Sequence, residues 1–211
     1  KENIVIEPAF KDTAAAIGYT SLIIENRFKD KLKAGEKIET IVLASDHLIK
    51  KEDEFRKAIL KGAEEAREHG VIVTLGIKPS KPETGYGYIE VKDETMELNS
   101  ICKVRRFREK PSLEVAESYL ASGKYLWNSG MFIFTTETIF KNFEVLMEEH
   151  TEIFNEIRKE LKENLYGEEL SQIVKPYFEK FEKISVDFGI MEYSKNIRVI
   201  PVDIDWNDIG S

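Results

Sequence analysis

The chain has 211 residues, of which 42% are hydrophobic and 33% are charged, a composition typical of folded globular proteins that excludes wholesale disorder. Its 39 acidic residues outnumber the 31 basic ones, and the net charge of −8 argues against a broad nucleic-acid-binding surface. No uncharged apolar run reaches the roughly 18 residues that a membrane span needs, and no signal peptide is visible. The single cysteine, Cys102, cannot form an internal disulfide, which favours a cytoplasmic protein.

The first part of the chain alternates between strand-like and helix-like segments. The predicted segments are a strand at residues 3–6, a helix beginning at Asp12, a strand at 40–44, a helix ending at Gly70 and a strand at 71–76. The strand at 40–44 is a continuous β-branched run, as expected of a strand covered on both faces. This succession predicts parallel strands joined by right-handed helical crossovers.

The pattern changes after residue 76. The predicted segments are an antiparallel pair at 86–91 and 101–107, a helix from Pro111 to Gly123, a strand at 131–134, amphipathic helices within 136–183, and a strand at 197–202. The fold class is therefore α/β, with a mixed sheet flanked by helices.

Ligands of open α/β sheets bind beyond the carboxyl ends of the strands, so the residues that follow each predicted strand are the first candidates for chemistry. Asp46 follows the strand at 40–44, where a carboxylate could hold Mg²⁺ or could cap the next helix. Three more acids, Asp203, Asp205 and Asp208, follow the last strand, where they could add a metal ligand or form an acidic surface turn.

The remaining candidates are suited to binding a phosphorylated sugar. Gly85 and Gly87 either let a ligand approach the backbone closely or form a turn with positive φ. Glu109 and Lys110 precede a proline, which disfavours helix and is expected to hold Lys110 extended as a phosphate anchor, with Glu109 as a hydroxyl acceptor. Asn128 can orient sugar hydroxyls or belong to an ordinary turn before the strand. Spacing alone favours the purely structural alternatives.

The sequence lacks the motifs of several other kinds of functional site. The three histidines show no metal-ligand spacing with one another or with Cys102, so no zinc site is predicted. There is also no Walker loop, no dinucleotide-binding glycine fingerprint and no nucleophile elbow.

The order of these motifs along the chain is more specific than any one of them. In sequence they are Glu7-Pro8, Asp12-Thr13-Ala14, Ser45-Asp46-His47, Pro82-Glu83-Thr84-Gly85-Tyr86-Gly87-Tyr88-Ile89, Glu109-Lys110-Pro111, Trp127-Asn128-Ser129-Gly130-Met131-Phe132 and Trp206-Asn207-Asp208-Ile209-Gly210-Ser211. Over essentially its whole length the chain resembles the sugar-nucleotide nucleotidyltransferase family, and within it the members that make GDP-mannose. The resemblance implies a Rossmann-like, GT-A-like catalytic domain in which residues 1–76 are the remainder of a nucleotide half and residues 77–211 are a sugar-phosphate half.

The resemblance also implies a reaction and a site. GMP would pass from GTP to α-D-mannose 1-phosphate with Mg²⁺, giving GDP-mannose and pyrophosphate. Asp46 and Asp208 would hold the metal, Lys110 would bind the sugar phosphate, and the mannose contacts would be Gly87, Glu109 and Asn128. Two alternatives remain, namely another sugar 1-phosphate such as glucose 1-phosphate, and an inactive fold fragment.

The chain departs from the family pattern in two places. The family's opening Gly-rich triphosphate loop and first βα unit have no counterpart, so we expect a fragment with little activity that forms a homo-oligomer or associates with the absent segment. Residues 11–15 read Lys-Asp-Thr-Ala-Ala where the family has Arg-Asn-Thr-Ala-Pro.

Overall fold

The computed structural model describes residues 3–93, 95–162 and 165–209. It divides into two compact units, which we call the helical unit (Lys1–Ile38 with Thr136–Tyr193) and the sheet unit (Glu39–Thr135 with Ser194–Ser211). The functional halves 1–76 and 77–211 stay a prediction. No helix in the described part of the chain is both long enough and apolar enough to cross a bilayer.

The helices and strands are numbered in chain order. The helices are α1 (Asp12–Phe28), α2 (Glu52–His69), α3 (Leu113–Ser122), α4 (Thr136–Leu146), α5 (Glu148–Glu160) and α6 (Gly167–Phe178), with a π-helical turn at Asp187–Met191. The strands are β1 (Glu39–Val42), β2 (His47–Ile49), β3 (Ile72–Ile77), β4 (Tyr88–Val91), β5 (Cys102–Arg108), β6 (Tyr125–Thr135), β7 (Ile197–Val202) and β8 (Trp206–Asp208).

The sheet unit contains a six-stranded mixed sheet in the order β1-β6-β3-β7-β5-β4. The mixed α/β fold is confirmed, and β3 and β7 form a parallel pair. The crossover pattern predicts parallel pairing among the strands at 3–6, 40–44 and 71–76 instead, and the structure does not pair these segments with one another. The expectation that 40–44 is covered on both faces is wrong, because β1 is an edge strand with Ile41 42% exposed. The long antiparallel strand β6 lies between β1 and β3, so these two strands are not neighbours.

The predicted strand at residues 3–6 is also wrong. Asn3 lies in a turn, residues 4–6 have no regular structure, and the side chain of Ile4 is 60% exposed. A short apolar run forms a stable strand only when a neighbouring strand pairs with it and its side chains are buried.

Helix α2 shows how local signals and packing agree. Three acids in its first turn, Glu52 to Glu54, complement the positive end of the helix dipole. The helix ends as predicted at Gly70, whose left-handed φ of 60° lets its N–H reach the carbonyl of Ala66. Its inner face packs on the apolar core formed by β3, β6 and β7.

The helical unit confirms the amphipathic helices predicted within 136–183. Helices α1, α4, α5 and α6 surround an aromatic cluster in which the imidazole of His150 lies 5.0 Å from the ring of Phe181 and 6.5 Å from that of Phe143. His150 is buried, and this burial lowers its pKa from the ordinary value of 6.5.

Candidate functional site

Two very short strands bring together residues that are far apart in the sequence. β2 and β8 form an antiparallel ribbon in which His47 pairs with Asp208, and the N–H of Ile209 donates to the carbonyl of Asp46 at 3.3 Å. Asp46, His47 and Asp208 each place one potential ligand atom within 4.8 Å of the others. The structure therefore brings Asp46 and Asp208 together, and it adds His47.

The ribbon is fixed by its apolar side chains. Residues opposite each other and two apart share one face of an antiparallel pair, so Trp206 and Ile49 lie on the same face as His47 and Asp208. Both Trp206 and Ile49 pack against the core of the sheet unit. This anchoring holds the carboxylate of Asp208 beside the start of β2.

The structure separates the alternatives for these acids. Helix α2 begins six positions after Asp46 and its cap residue is Lys51, so Asp46 is not a helix cap. The carboxylates of Asp203 and Asp205 instead form exposed ion pairs, at 2.6 Å with Lys51 and at 3.6 Å with Lys50. The carboxylate brought to the ribbon is that of Asp208.

A second group of candidates meets between β4, β5 and β6. The backbone N–H of Asn128 donates to the carbonyl of Gly87 at 2.8 Å. A Cβ built on Gly87 would overlap Oε2 of Glu109 and lie 3.3 Å from both Cβ of Asn128 and Cζ of Phe107. Gly87 has no positive φ, so the turn interpretation is wrong and the reason for glycine is close approach. Glu109 and Asn128 therefore both lie against Gly87, and we call these three residues the Gly87 pocket.

Asn128 lies inside a strand rather than in a turn before one, which corrects the sequence interpretation. β6 begins at Tyr125, and both Asn128 and Ser129 are buried. The side-chain oxygen of Asn128 accepts from Oγ1 of Thr74 at 3.1 Å and from the N–H of Gly130 at 3.2 Å. Because two donors hold this oxygen, the orientation of the amide group is fixed.

Lys110 does not adopt the predicted extended backbone. Its φ is +41°, in the left-handed region that side-chain-bearing residues rarely adopt, and such strain tends to occur at functional sites. Its ammonium Nζ lies 4.0 Å from Oε1 of Glu109, and its side chain is 60% exposed against 11% for Glu109. An exposed cation thus lies beside the nearly buried carboxylate of the Gly87 pocket.

The loop before Gly87 is held by Glu83. Its carboxylate accepts from the N–H of Gly85 at 3.1 Å and pairs with Nζ of Lys81 at 2.7 Å, and these hydrogen bonds lower the pKa of Glu83. Tyr86, the next residue after Gly85, packs edge-to-face on Trp206 and on Trp127. Glu83 and Tyr86 thereby connect the Gly87 pocket to the ribbon, although neither residue has a role in the site predicted from the sequence.

Lys11 and Asp12, where the chain departs from the family pattern, lie in the helical unit. Nζ of Lys11 donates to the carbonyls of Glu179 and Phe181, both at 2.7 Å. Asp12 has a φ of 69°, and its carboxylate accepts from the N–H of Thr13 at 2.8 Å. Lys11 therefore acts as a bridge to the end of α6 within this unit.

The chain is similar to known proteins over its whole length. The nucleotidyl transferase family matches the chain over residues 1–211. Mannose-1-phosphate guanylyltransferase of Escherichia coli K12 is 36% identical over 213 residues, which is 100% of this chain and 42% of that protein. Xanthan biosynthesis protein XanB of Xanthomonas campestris is 37% identical over 208 residues, covering 99% of this chain and 41% of that protein.

A solved structure has the same fold. The crystal structure of a mannose-1-phosphate geranyltransferase from Thermus thermophilus superposes with a TM-score of 0.79 at 29% identity, covering 98% of this chain and 54% of that one. The chain thus spans less than half the length of the relatives that it matches by sequence.

Proposed function

The chain belongs to the nucleotidyl transferase family, and from that premise we propose that this protein transfers GMP from GTP to α-D-mannose 1-phosphate, forming GDP-mannose and pyrophosphate. The main support for the proposal is that Asp46 and Asp208 lie close together on the ribbon, in the same unit as the Gly87 pocket. The name of the Escherichia coli relative supports the choice of mannose and of the guanylyl group.

The two carboxylates suit a Mg²⁺ ion. Mg²⁺ takes one or two protein carboxylates and completes its coordination with water and substrate phosphate oxygens. Asp46 is exposed and Asp208 half-buried, so the pair is open to phosphate ligands. When bound, the ion would neutralise phosphate charge that develops during the transfer.

The Gly87 pocket would bind the sugar. The carboxylate of Glu109 can accept hydrogen bonds from two hydroxyl groups, and the amide nitrogen of Asn128 can donate one. Glycine at position 87 leaves room for the carboxylate and for a ring to lie on the backbone. Lys110, whose exposed ammonium lies beside Glu109, would bind the phosphate of the sugar.

The reaction requires the side chains mainly to position the two substrates. A phosphate oxygen of mannose 1-phosphate attacks the α-phosphorus of GTP, and the bond from this phosphorus to the β-phosphate bridging oxygen breaks. Both reactants are anions, so catalysis rests on alignment and charge neutralisation. Lys110 and the Gly87 pocket would hold the attacking phosphate in place. The carboxylates of Asp46 and Asp208 would hold the cation that neutralises the phosphate charge.

Two further properties belong to this proposal. Cys102 is buried and unpaired with another cysteine, in keeping with the reducing cytoplasm in which we place the enzyme. A homo-oligomer also stays a prediction. The edge strand β1, with Ile41 exposed and Leu43 exposed directly after it, supports this prediction.

The proposal is tested by substrate choice. Calorimetry should show mannose 1-phosphate binding to the 211-residue chain at least tenfold more tightly than glucose 1-phosphate, a difference of about 1.4 kcal/mol. Pyrophosphate release by an enzyme that also carries the family's triphosphate loop should be faster with GTP and mannose 1-phosphate than with UTP and glucose 1-phosphate. Equal binding of the two sugar phosphates, or a preference for UTP, would contradict the proposal.

A further inference from the structure

The imidazole of His47 is held by a partner that the site predicted from the sequence does not include. The indole Nε1 of Trp206 lies 3.2 Å from Nδ1 of His47, and the two rings meet edge-to-face with centroids 5.2 Å apart. Trp206 is itself held by Tyr86, whose ring centroid lies 5.4 Å away. His47 and Trp206 are diagonal neighbours on one face of the ribbon.

This hydrogen bond has only one direction. An indole N–H donates and has no lone pair to accept, so Nδ1 of His47 must accept with its own lone pair. The proton of the neutral imidazole then lies on Nε2. With one lone pair engaged by Trp206 and the other nitrogen protonated, a metal ion could bind the imidazole only by displacing the hydrogen bond from Trp206 or the proton on Nε2.

Without Trp206, the same three residues would be a different kind of site. Two carboxylates and an imidazole within 4.8 Å form a ligand set that suits Zn²⁺ and other transition metals, which bind imidazole nitrogen readily. Mg²⁺ prefers oxygen ligands and gains little from imidazole.

We propose that Trp206 is a positioning residue that keeps His47 in the Nε2–H tautomer, removes its imidazole from metal coordination, and so reserves Asp46 and Asp208 for a hard cation such as Mg²⁺. The Nε2–H of His47 is then a hydrogen-bond donor rather than a metal ligand. The selectivity part of this proposal rests on the proposed function, whereas the tautomer does not.

The tautomer can be read directly by nitrogen-15 NMR of the metal-free chain, at a pH where the imidazoles are neutral. Nδ1 of His47 should show the shift of an unprotonated nitrogen and Nε2 that of a protonated one, with the signals assigned by their loss in His47→Gln. In Trp206→Phe, which keeps an aromatic ring but removes the N–H, the two tautomers should mix. A proton on Nδ1 of His47 in the unmodified chain overturns the proposal, even if no variant folds.

Metal selectivity is tested by calorimetry with Mg²⁺ and Zn²⁺. Trp206→Phe should bind Zn²⁺ about fivefold more tightly, the effect of one neutral hydrogen bond no longer competing for the imidazole. Its Mg²⁺ affinity should change less than twofold. Trp127→Phe is the matched control, because Trp127 also packs on Tyr86 but belongs to β6 rather than to the ribbon. It should leave both affinities unchanged.

Failure of this inference and failure of the proposed function can be told apart. If His47→Gln lowers Zn²⁺ affinity in the unmodified background, His47 is already a ligand and the inference is wrong. If Zn²⁺ affinity does not rise in Trp206→Phe, or rises equally in the double variant with His47→Gln, it is also wrong. Failure of Mg²⁺ to bind the unmodified chain would instead count against the proposed function, while the NMR result would still decide the tautomer.

Discussion

Replacing Gly87 by alanine should weaken sugar binding much more than it lowers stability. The new methyl group would overlap the carboxylate of Glu109 and crowd the buried Asn128 and Phe107. The carboxylate, at the end of a flexible side chain, is the neighbour that can move, so we expect a destabilisation of about 1 kcal/mol, at the low end for overpacking. A displaced carboxylate loses a charged hydrogen bond to the sugar, about 1.5–3 kcal/mol, which corresponds to roughly 10- to 100-fold weaker binding.

The measurements are urea unfolding and calorimetric titration with mannose 1-phosphate. Gly85→Ala is the matched control, because its Cβ would lie 3.4 Å from Oε1 of Glu83, an ordinary contact, and neither glycine has a positive φ. This control should leave sugar affinity within about twofold and stability within about 0.5 kcal/mol. The reasoning fails if Gly87→Ala binds the sugar phosphate as tightly as the unmodified chain, or if both variants lose affinity equally.

Three other predictions test separate parts of the molecule, and the two that measure turnover are made for an enzyme that also carries the family's triphosphate loop. Asp208→Asn should lower Mg²⁺-dependent turnover about 100-fold, whereas Asp205→Asn, which only breaks the exposed ion pair with Lys50, should not, as a Mg²⁺ titration of both variants would show. Lys110→Gln should raise the KM for mannose 1-phosphate about tenfold and leave the KM for GTP nearly unchanged in steady-state assays. Burial lowers the pKa of His150 in the folded chain, so on acidification the unfolded chain takes up a proton first. The free energy of unfolding should therefore fall as the pH drops below 6.5. In urea unfolding measured from about pH 8 to about pH 5, His150→Phe should show a weaker dependence on pH.

Long regular segments were predictable from the sequence. The β-branched runs at 71–76 and 197–202 correspond to β3 and β7, which are buried on both faces and so read as continuous apolar stretches. The end of α2 at Gly70 follows from glycine's access to left-handed backbone. The position of β6 between β1 and β3 could not be predicted, because nothing local specifies which strand pairs with which.

The ribbon was missed for a different reason. β2 and β8 have three residues each, too few for an alternating pattern to be recognised. The metal-binding roles proposed for Asp46 and Asp208 came from resemblance and not from spacing. His47 was not considered a ligand, because ligand spacing was examined along the chain rather than across a strand pair. The hydrogen bond from Trp206 depends on cross-strand geometry that no linear motif contains.

The buried polar groups shared by β3 and β6 bear on how the sheet finds its alignment during folding. Oγ1 of Thr74 donates to Asn128, and Oγ of Ser129 donates to the carbonyl of Leu75 at 2.7 Å. A one-residue slip of β6 would turn every side chain to the opposite face and bury these groups unsatisfied, at about 1–3 kcal/mol each. An apolar strand of this length could otherwise pair in several alignments of similar energy. These two hydrogen bonds therefore disfavour misaligned sheets. With valine at position 74 and alanine at position 129, a misaligned sheet would no longer bury unsatisfied hydroxyl groups.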